Sequence, residues 1–134
     1  MKKTFIIDGS NVIRTWLREN GNLNFQKENK CSAILLKALL SFSKKYNCNV
    51  EVYFDGPKRT LQKTQEIPVL FAHTKSADDM IVNSVYDIVE NYKGQVCVAT
   101  EDKNLIKRCT LYGAEILAVW NLFTQIKTNI LQYT

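Results

Sequence analysis

The chain has 134 residues, of which 46% are hydrophobic and 23% charged. That length suits a single domain spanning 1–134, and that composition excludes a disordered chain. With 18 Lys and Arg against 13 Asp and Glu, the net charge is +5, which suits a polyanionic partner such as nucleic acid or an anionic membrane surface.

No run approaches the ~18 uninterrupted apolar residues of a membrane-spanning helix. The basic start Met1-Lys2-Lys3-Thr4 is followed only by Phe5-Ile6-Ile7 before Asp8, too short for a signal-peptide core. The expectation is a cytoplasmic protein. Cys31, Cys48, Cys97 and Cys109 form no C-x-x-C pair, and one His is too few for a Cys/His zinc site of ordinary spacing. They read as reduced packing residues. There is no repeat and no low-complexity segment.

In chain order, Thr4–Ile7 reads as a short buried strand. Asn11–Leu17 reads as a short helix, and Asn22–Gln26 as a polar loop. Glu28–Tyr46 has helical apolar spacing through Cys31, Ile34, Leu35, Ala38, Leu39 and Phe42. Val50–Phe54 is a strand stopped by Asp55-Gly56-Pro57, a turn signal. Ile67–Ala72 is a third strand. Ala77–Tyr92 is a helix striped by Ile81, Val82, Val85, Ile88, Val89 and Tyr92. Gln95–Ala99 is a strand, and Asp102–Leu111 a helix for which Gly113 supplies a left-handed stop. Ala114–Val119 is the fifth strand, and Trp120–Leu131 the last helix. Strands alternating with helices indicate a parallel sheet covered on both faces. Ligands of such sheets bind beyond the carboxyl ends of the strands.

Acids gather at those ends. Asp8 follows the first strand, Asp55 the second, Asp78 and Asp79 open the helix after the third, and Glu101 and Asp102 follow the fourth. Carboxylates brought together repel and raise one another's pKa unless a cation neutralises them. Oxygen ligands without Cys or His suit Mg²⁺ or Mn²⁺. Such ions lower the pKa of a bound water and polarise a phosphoryl oxygen, which suits phosphodiester hydrolysis. Each acid also has a purely structural reading. Ser76-Ala77-Asp78-Asp79 fits a capping box with Ser76 as the cap and Asp79 as its partner. Glu101 can complement a helix N-terminus. Asn11 can cap the first helix, or orient Asp8 and a metal-bound water. Asp78 differs: it lies three, four and seven residues before Ile81, Val82 and Val85, so it points with the buried stripe, where an unpaired carboxylate is costly.

Four segments carry a resemblance. Asp8-Gly9-Ser10-Asn11 resembles the D-G-x-N opening of NYN-domain ribonucleases, a branch of the PIN-like nuclease superfamily. Val52-Tyr53-Phe54-Asp55-Gly56 resembles their second-strand motif, and Ser76-Ala77-Asp78-Asp79-Met80-Ile81 their A-D-D-x-I helix start. Ala99-Thr100-Glu101-Asp102-Lys103-Asn104-Leu105 is similar to their T-x-D-x-x-L motif. The order is the family's, and the nearest type is the YacP-like proteins; the opening also resembles the regnase nucleases. The resemblance implies a three-layer α/β/α sandwich whose five parallel strands run in the order 3-2-1-4-5. It further implies an endoribonuclease dependent on Mg²⁺ or Mn²⁺ that leaves a 5′-phosphate and a 3′-hydroxyl. Carried over by motif, Asp8, Asp78 and Asp102 would be the metal-binding acids, Asn11 and Asp79 supporting residues, and Thr100 a neighbour of the metal. Asp55 is not a uniform ligand in the family. The chain carries no appended zinc finger or KH module, and some PIN-like proteins with most of these acids are inactive or act as scaffolds.

An acid cluster repels RNA, so basic flanks are needed. Lys58, Arg59 and Lys63 in the loop after the second strand, with Lys75 and Lys103, would contact phosphates; the alternative is a solvated loop. Arg14 and Arg18 form a second basic pair. Tyr53, Trp16 and Trp120 would either stack on bases or pack in the core. His73 reads as structural or exposed. The expected partner is RNA, ribosome-associated RNA included, with no membrane. Two rivals to a nuclease remain: a non-catalytic RNA- or ribosome-binding module on the same fold, and a small-molecule phosphohydrolase. The haloacid-dehalogenase type of the latter wants D-x-D after the first strand, where Ser10 stands.

Overall fold

The apolar, β-branched segment Thr4–Asp8 forms β1 and lies at the centre of a sheet in the order β3-β2-β1-β4-β5. The computed structural model describes residues 2–19, 25–58, 66–73 and 76–131. The other strands are β2 (Asn49–Phe54), β3 (Val69–Phe71), β4 (Val96–Ala99) and β5 (Glu115–Leu117). The helices are α1 (Gly9–Glu19), α2 (Phe25–Tyr46), α3 (Asp78–Tyr86), α4 (Lys103–Leu111) and α5 (Val119–Leu131). All four strand pairings are parallel. Parallel neighbours require crossovers, and the helices supply them and cover both faces.

Strand alternation splits the core in two. Ile7, Val52, Phe54 and Ala99 face α1, α2 and α5, against Val12, Ile13, Leu35, Leu39, Leu122 and Ile126. Ile6, Tyr53, Val96 and Val98 face α3 and α4, against Ile81, Val85, Leu105 and Cys109. Asp8 stands two residues beyond Ile6, so its side chain falls on the α3–α4 face. The register places Asp8 beside Tyr53, and Ile7 beside Ala99. Asp8, Asp55 and Thr100 therefore share one edge.

Several expected boundaries move. Phe25 and Gln26, read as loop, belong to α2, since no Gly or Pro separates them from Glu28; residues 22–24 lie outside the described ones. β3 begins at Val69 rather than Ile67, because Pro68 has no N–H to extend the ladder. Val119 opens α5 rather than closing β5. The expected single helix from Ala77 to Tyr92 is α3 followed by a wider π turn at Asp87–Asn91. Gly113 does provide the left-handed stop after α4, at φ 96°, with Ala114 N–H donating to Cys109 O at 3.1 Å. All four cysteines are free thiols, and Cys48, Cys97 and Cys109 are buried. Among the described residues, no helix is long and apolar enough to cross a membrane.

Candidate active site

The first acid is held from two sides. Asp8 is 4% exposed. Its Oδ2 accepts the Thr100 hydroxyl at 2.8 Å, and the Asn11 backbone N–H also donates to it. Burial pushes its carboxyl up to about 6; the nearby charges of Asp55 and Asp78 add to this, and the two hydrogen bonds oppose it. Gly9 is required next to it, because a Cβ there would stand 2.7 Å from the Phe54 ring.

Asp78 opens α3, half-buried, and its carboxylate accepts no hydrogen bond from the described residues. Burial again raises its pKa. Asp102, Asp55 and Asp79 raise it further, and Arg108 opposes them. The capping box expected here is absent. Ala77, not Ser76, is the N-cap residue, and it makes no side-chain cap bond. Ser76 is exposed. Asp55 replaces it from across the edge: its Oδ1 accepts the Ala77 N–H at 2.7 Å and its Oδ2 accepts Arg14 at 2.8 Å. The Asp55 N–H donates in turn to Ser10 Oγ at 2.8 Å. Asp55 thus clasps the starts of α1 and α3 onto the end of β2. Asp79 is 74% exposed and bonds Arg108 of α4 at 2.8 Å, which places it outside the Asp8–Asp78 pair.

Asp102 is the N-cap of α4, its Oδ1 accepting from Asn104 and Leu105 at 2.9 and 3.1 Å. Its own N–H donates to Thr100 Oγ1 at 3.1 Å. One hydroxyl therefore joins Asp8 to the Asp102 backbone. Glu101 does serve a helix N-terminus, that of α5: its Oε1 accepts the Val119 N–H at 2.7 Å. Its N–H donates to Asn11 Oδ1 at 2.8 Å. Asn11 lies within α1 rather than at its start, so it does not cap that helix; its side chain holds the β4–α4 turn, and its backbone N–H donates to Asp8.

Among the expected RNA contacts, Lys58 and Lys103 are exposed beyond the ends of β2 and β4. Arg14 is half-exposed but paired with Asp55. Arg59, Lys63 and Lys75 lie outside the described residues. Tyr53 is buried, and its hydroxyl donates to Glu51 at 2.8 Å; Trp16 packs against the α1–α2–α5 core. Neither is a base-stacking surface.

The donor chemistry of Asp8, Asp78 and Asp102 fits a hard divalent cation: only oxygens, one carboxylate that accepts no hydrogen bond from the described residues, and one whose ionisation is opposed by burial. Their present placement is looser than a finished coordination sphere. Among the described residues, no three His, Cys, Asp or Glu side chains are gathered closely enough to hold an ion. Asp102 commits one oxygen to the amides of α4, and like charges repel across the edge.

Two crystal structures of Rae1 (YacP) from Bacillus subtilis, one of a point mutant, are similar to the chain. The mutant matches at 21% identity with a TM-score of 0.78, covering 97% of this chain and 78% of its own. The other matches at 20% identity, again with a TM-score of 0.78, covering 96% and 76%. At that identity the likeness shows a common fold. No curated protein matches. The family model described as the YacP-like NYN domain matches residues 5–133, almost the whole chain, and the chain belongs to that family.

Proposed function

We propose that the protein is a divalent-metal-dependent endoribonuclease acting on cytoplasmic RNA through Asp8, Asp78 and Asp102. The observation that carries this reading is a buried Asp8 and a half-buried Asp78, whose carboxylate accepts no hydrogen bond from the described residues, at the carboxyl edge of the sheet. Burial opposes the ionisation of both carboxylates and the neighbouring acids oppose it further, a cost that a bound cation would relieve. Membership in a nuclease-like family supports the same conclusion.

Asp8, Asp78 and Asp102 would hold Mg²⁺ or Mn²⁺, which when bound would polarise the phosphoryl group and activate water. Thr100 keeps the Asp8 carboxylate turned into the site and fixes the Asp102 backbone by the same hydroxyl. Asp55 sets where α3 begins, and so where Asp78 stands. Asn11 fixes the turn that carries Glu101 and Asp102. Asp8 and Asp78, whose pKa values are both raised, are the candidates to take a proton from attacking water. Lys58 and Lys103 would hold flanking phosphates. Products would carry a 5′-phosphate and a 3′-hydroxyl.

The test is cleavage of end-labelled RNA in Mn²⁺ or Mg²⁺, with EDTA as control. Asp8→Asn and Asp78→Asn should each lower the rate at least 100-fold. Equal cleavage by these variants would place the chemistry elsewhere. The commitment of Asp102 to capping α4 favours one second reading, a non-catalytic RNA-binding module. That reading predicts salt-sensitive RNA binding with no turnover in any metal.

A further inference from the structure

The three aromatic residues that the sequence left open part company in the structure. Tyr53 is 4% exposed and Trp16 is packed, but Trp120 is 49% exposed. Its position is defined by the site. Val119, the preceding residue, donates its N–H to Glu101, and Glu101 is joined to Asn11 and adjoins Asp102. Trp120 thus lies in the first turn of α5, at the same carboxyl edge of the sheet as Asp8, Asp78 and Asp102. Side chains on a helix lean toward its N-terminus, which for α5 is this same edge.

The ring is also braced. Phe123, one turn on, meets Trp120 edge to face at 5.4 Å and 74°. Phe123 meets Trp16 at 6.2 Å and 61°, and both rings pack, partly buried, against the α1–α2–α5 core. An indole held this way loses little freedom on binding, which favours stacking. A second exposed aromatic contact, Tyr86 against Tyr112 at 5.4 Å, sits where α3 and α4 end, at the opposite edge of the sheet.

We propose that Trp120 is a stacking platform for an unpaired nucleobase of the RNA strand, next to the phosphate that enters the acidic site. The inference rests on the nuclease reading above and adds a preference for single-stranded substrate. Phosphates meet repulsion from the acids, whereas a neutral base on a neutral indole does not. Stacking there would supply affinity where phosphate contacts are weakest and would set which nucleotide faces Asp8. Purines, with the larger ring faces, should be held more tightly than pyrimidines.

Trp120 and Trp16 are the two tryptophans of the chain, so Trp16→Phe isolates the Trp120 signal. Binding of adenylate, uridylate and abasic RNA decamers is measured in EDTA, where no cleavage competes. The expected results are quenching of Trp120 by the adenylate decamer and roughly 5- to 100-fold weaker binding by Trp120→Ala. Trp120→Phe should stay within about threefold of wild type. The abasic decamer should bind wild type and Trp120→Ala equally, and the salt dependence should be the same for both. Unchanged affinity in Trp120→Ala, or no quenching in Trp16→Phe, overturns the platform while leaving the nuclease reading to its own cleavage test. Wild-type protein that binds none of the decamers and cleaves no RNA overturns both.

Discussion

Replacing Asp8 with Asn should make the metal-free protein more stable at neutral pH, although it removes a buried hydrogen-bonding carboxylate. The Asp8 carboxyl is displaced from 3.8 to about 6, chiefly by burial. At about 1.4 kcal/mol per pH unit, that displacement is worth about 3 kcal/mol. The sign follows from proton linkage. The folded state holds the proton more tightly than the unfolded chain, so this group's contribution falls as pH rises from about 4 to about 6, and the destabilisation is complete above that. Asn carries no charge and escapes it. Asn also offers one carbonyl oxygen where the carboxylate offers two, so the donors Thr100 and Asn11 cannot both be served as well, at a cost of about 1–2 kcal/mol. The net gain is about 1–2 kcal/mol at pH 7, or about 3–8 °C in Tm for a chain of this length. The assay is thermal unfolding of both proteins in EDTA at pH 7.5 and pH 4. At pH 4 the gain should vanish or reverse, because the wild-type carboxyl is by then protonated in the fold. An Asn variant less stable than wild type by the same margin at both pH values would refute the argument and make Asp8 a plain helix cap. Added Mn²⁺ should raise the wild-type Tm and leave that of the variant unmoved.

The same structure makes other commitments. Gly9→Ala, ordinarily favourable in a helix, should destabilise by about 1–3 kcal/mol in urea unfolding, because its Cβ meets a Phe54 ring that is buried and stacked on Phe71 at 5.6 Å. Asp55→Ala should cost about 1–2 kcal/mol and speed amide exchange at Ala77 and Asp78, leaving the β4 amides protected. Arg108→Ala should cost under about 1 kcal/mol in the same unfolding assay, since its partner Asp79 is 74% exposed. A thiol reagent at pH 8 should modify Cys31 first. Burial pushes Cys109 up to about 11 and raises Cys48 and Cys97 as well; fast labelling of all four would contradict the packing described.

Much of the fold is written locally. Runs such as Thr4–Ile7 and Val50–Phe54 carry their own strand signal, and the stripe from Ile81 to Val89 carries a helix. Counting residues from that stripe correctly set Asp78 toward the interior. The contacts that organise the site have no local pattern. Asp55 reaches Ala77 across 22 residues and Arg14 across 41, so a Ser-x-x-Asp box seemed sufficient to cap α3. Asn11 reaches Glu101 across 90 residues. Trp16 and Trp120 look alike in a string of letters, and only the tertiary packing separates a ring laid against the α1–α2–α5 core from an exposed one. Glu101 read as complementing a helix N-terminus, and the parallel order makes that helix α5, whose Val119 N–H donates to it.

The central claim is that Asp8, Asp78 and Asp102 jointly bind the divalent ion on which RNA hydrolysis depends. Its most direct measurement is anomalous scattering from crystals soaked in Mn²⁺. The account predicts a Mn²⁺ peak coordinated by all three carboxylates, with the Asp102 side chain drawn toward Asp8 and Asp78, and no such peak in Asp78→Asn crystals. Mn²⁺ bound elsewhere, with the three carboxylates left apart, would contradict it.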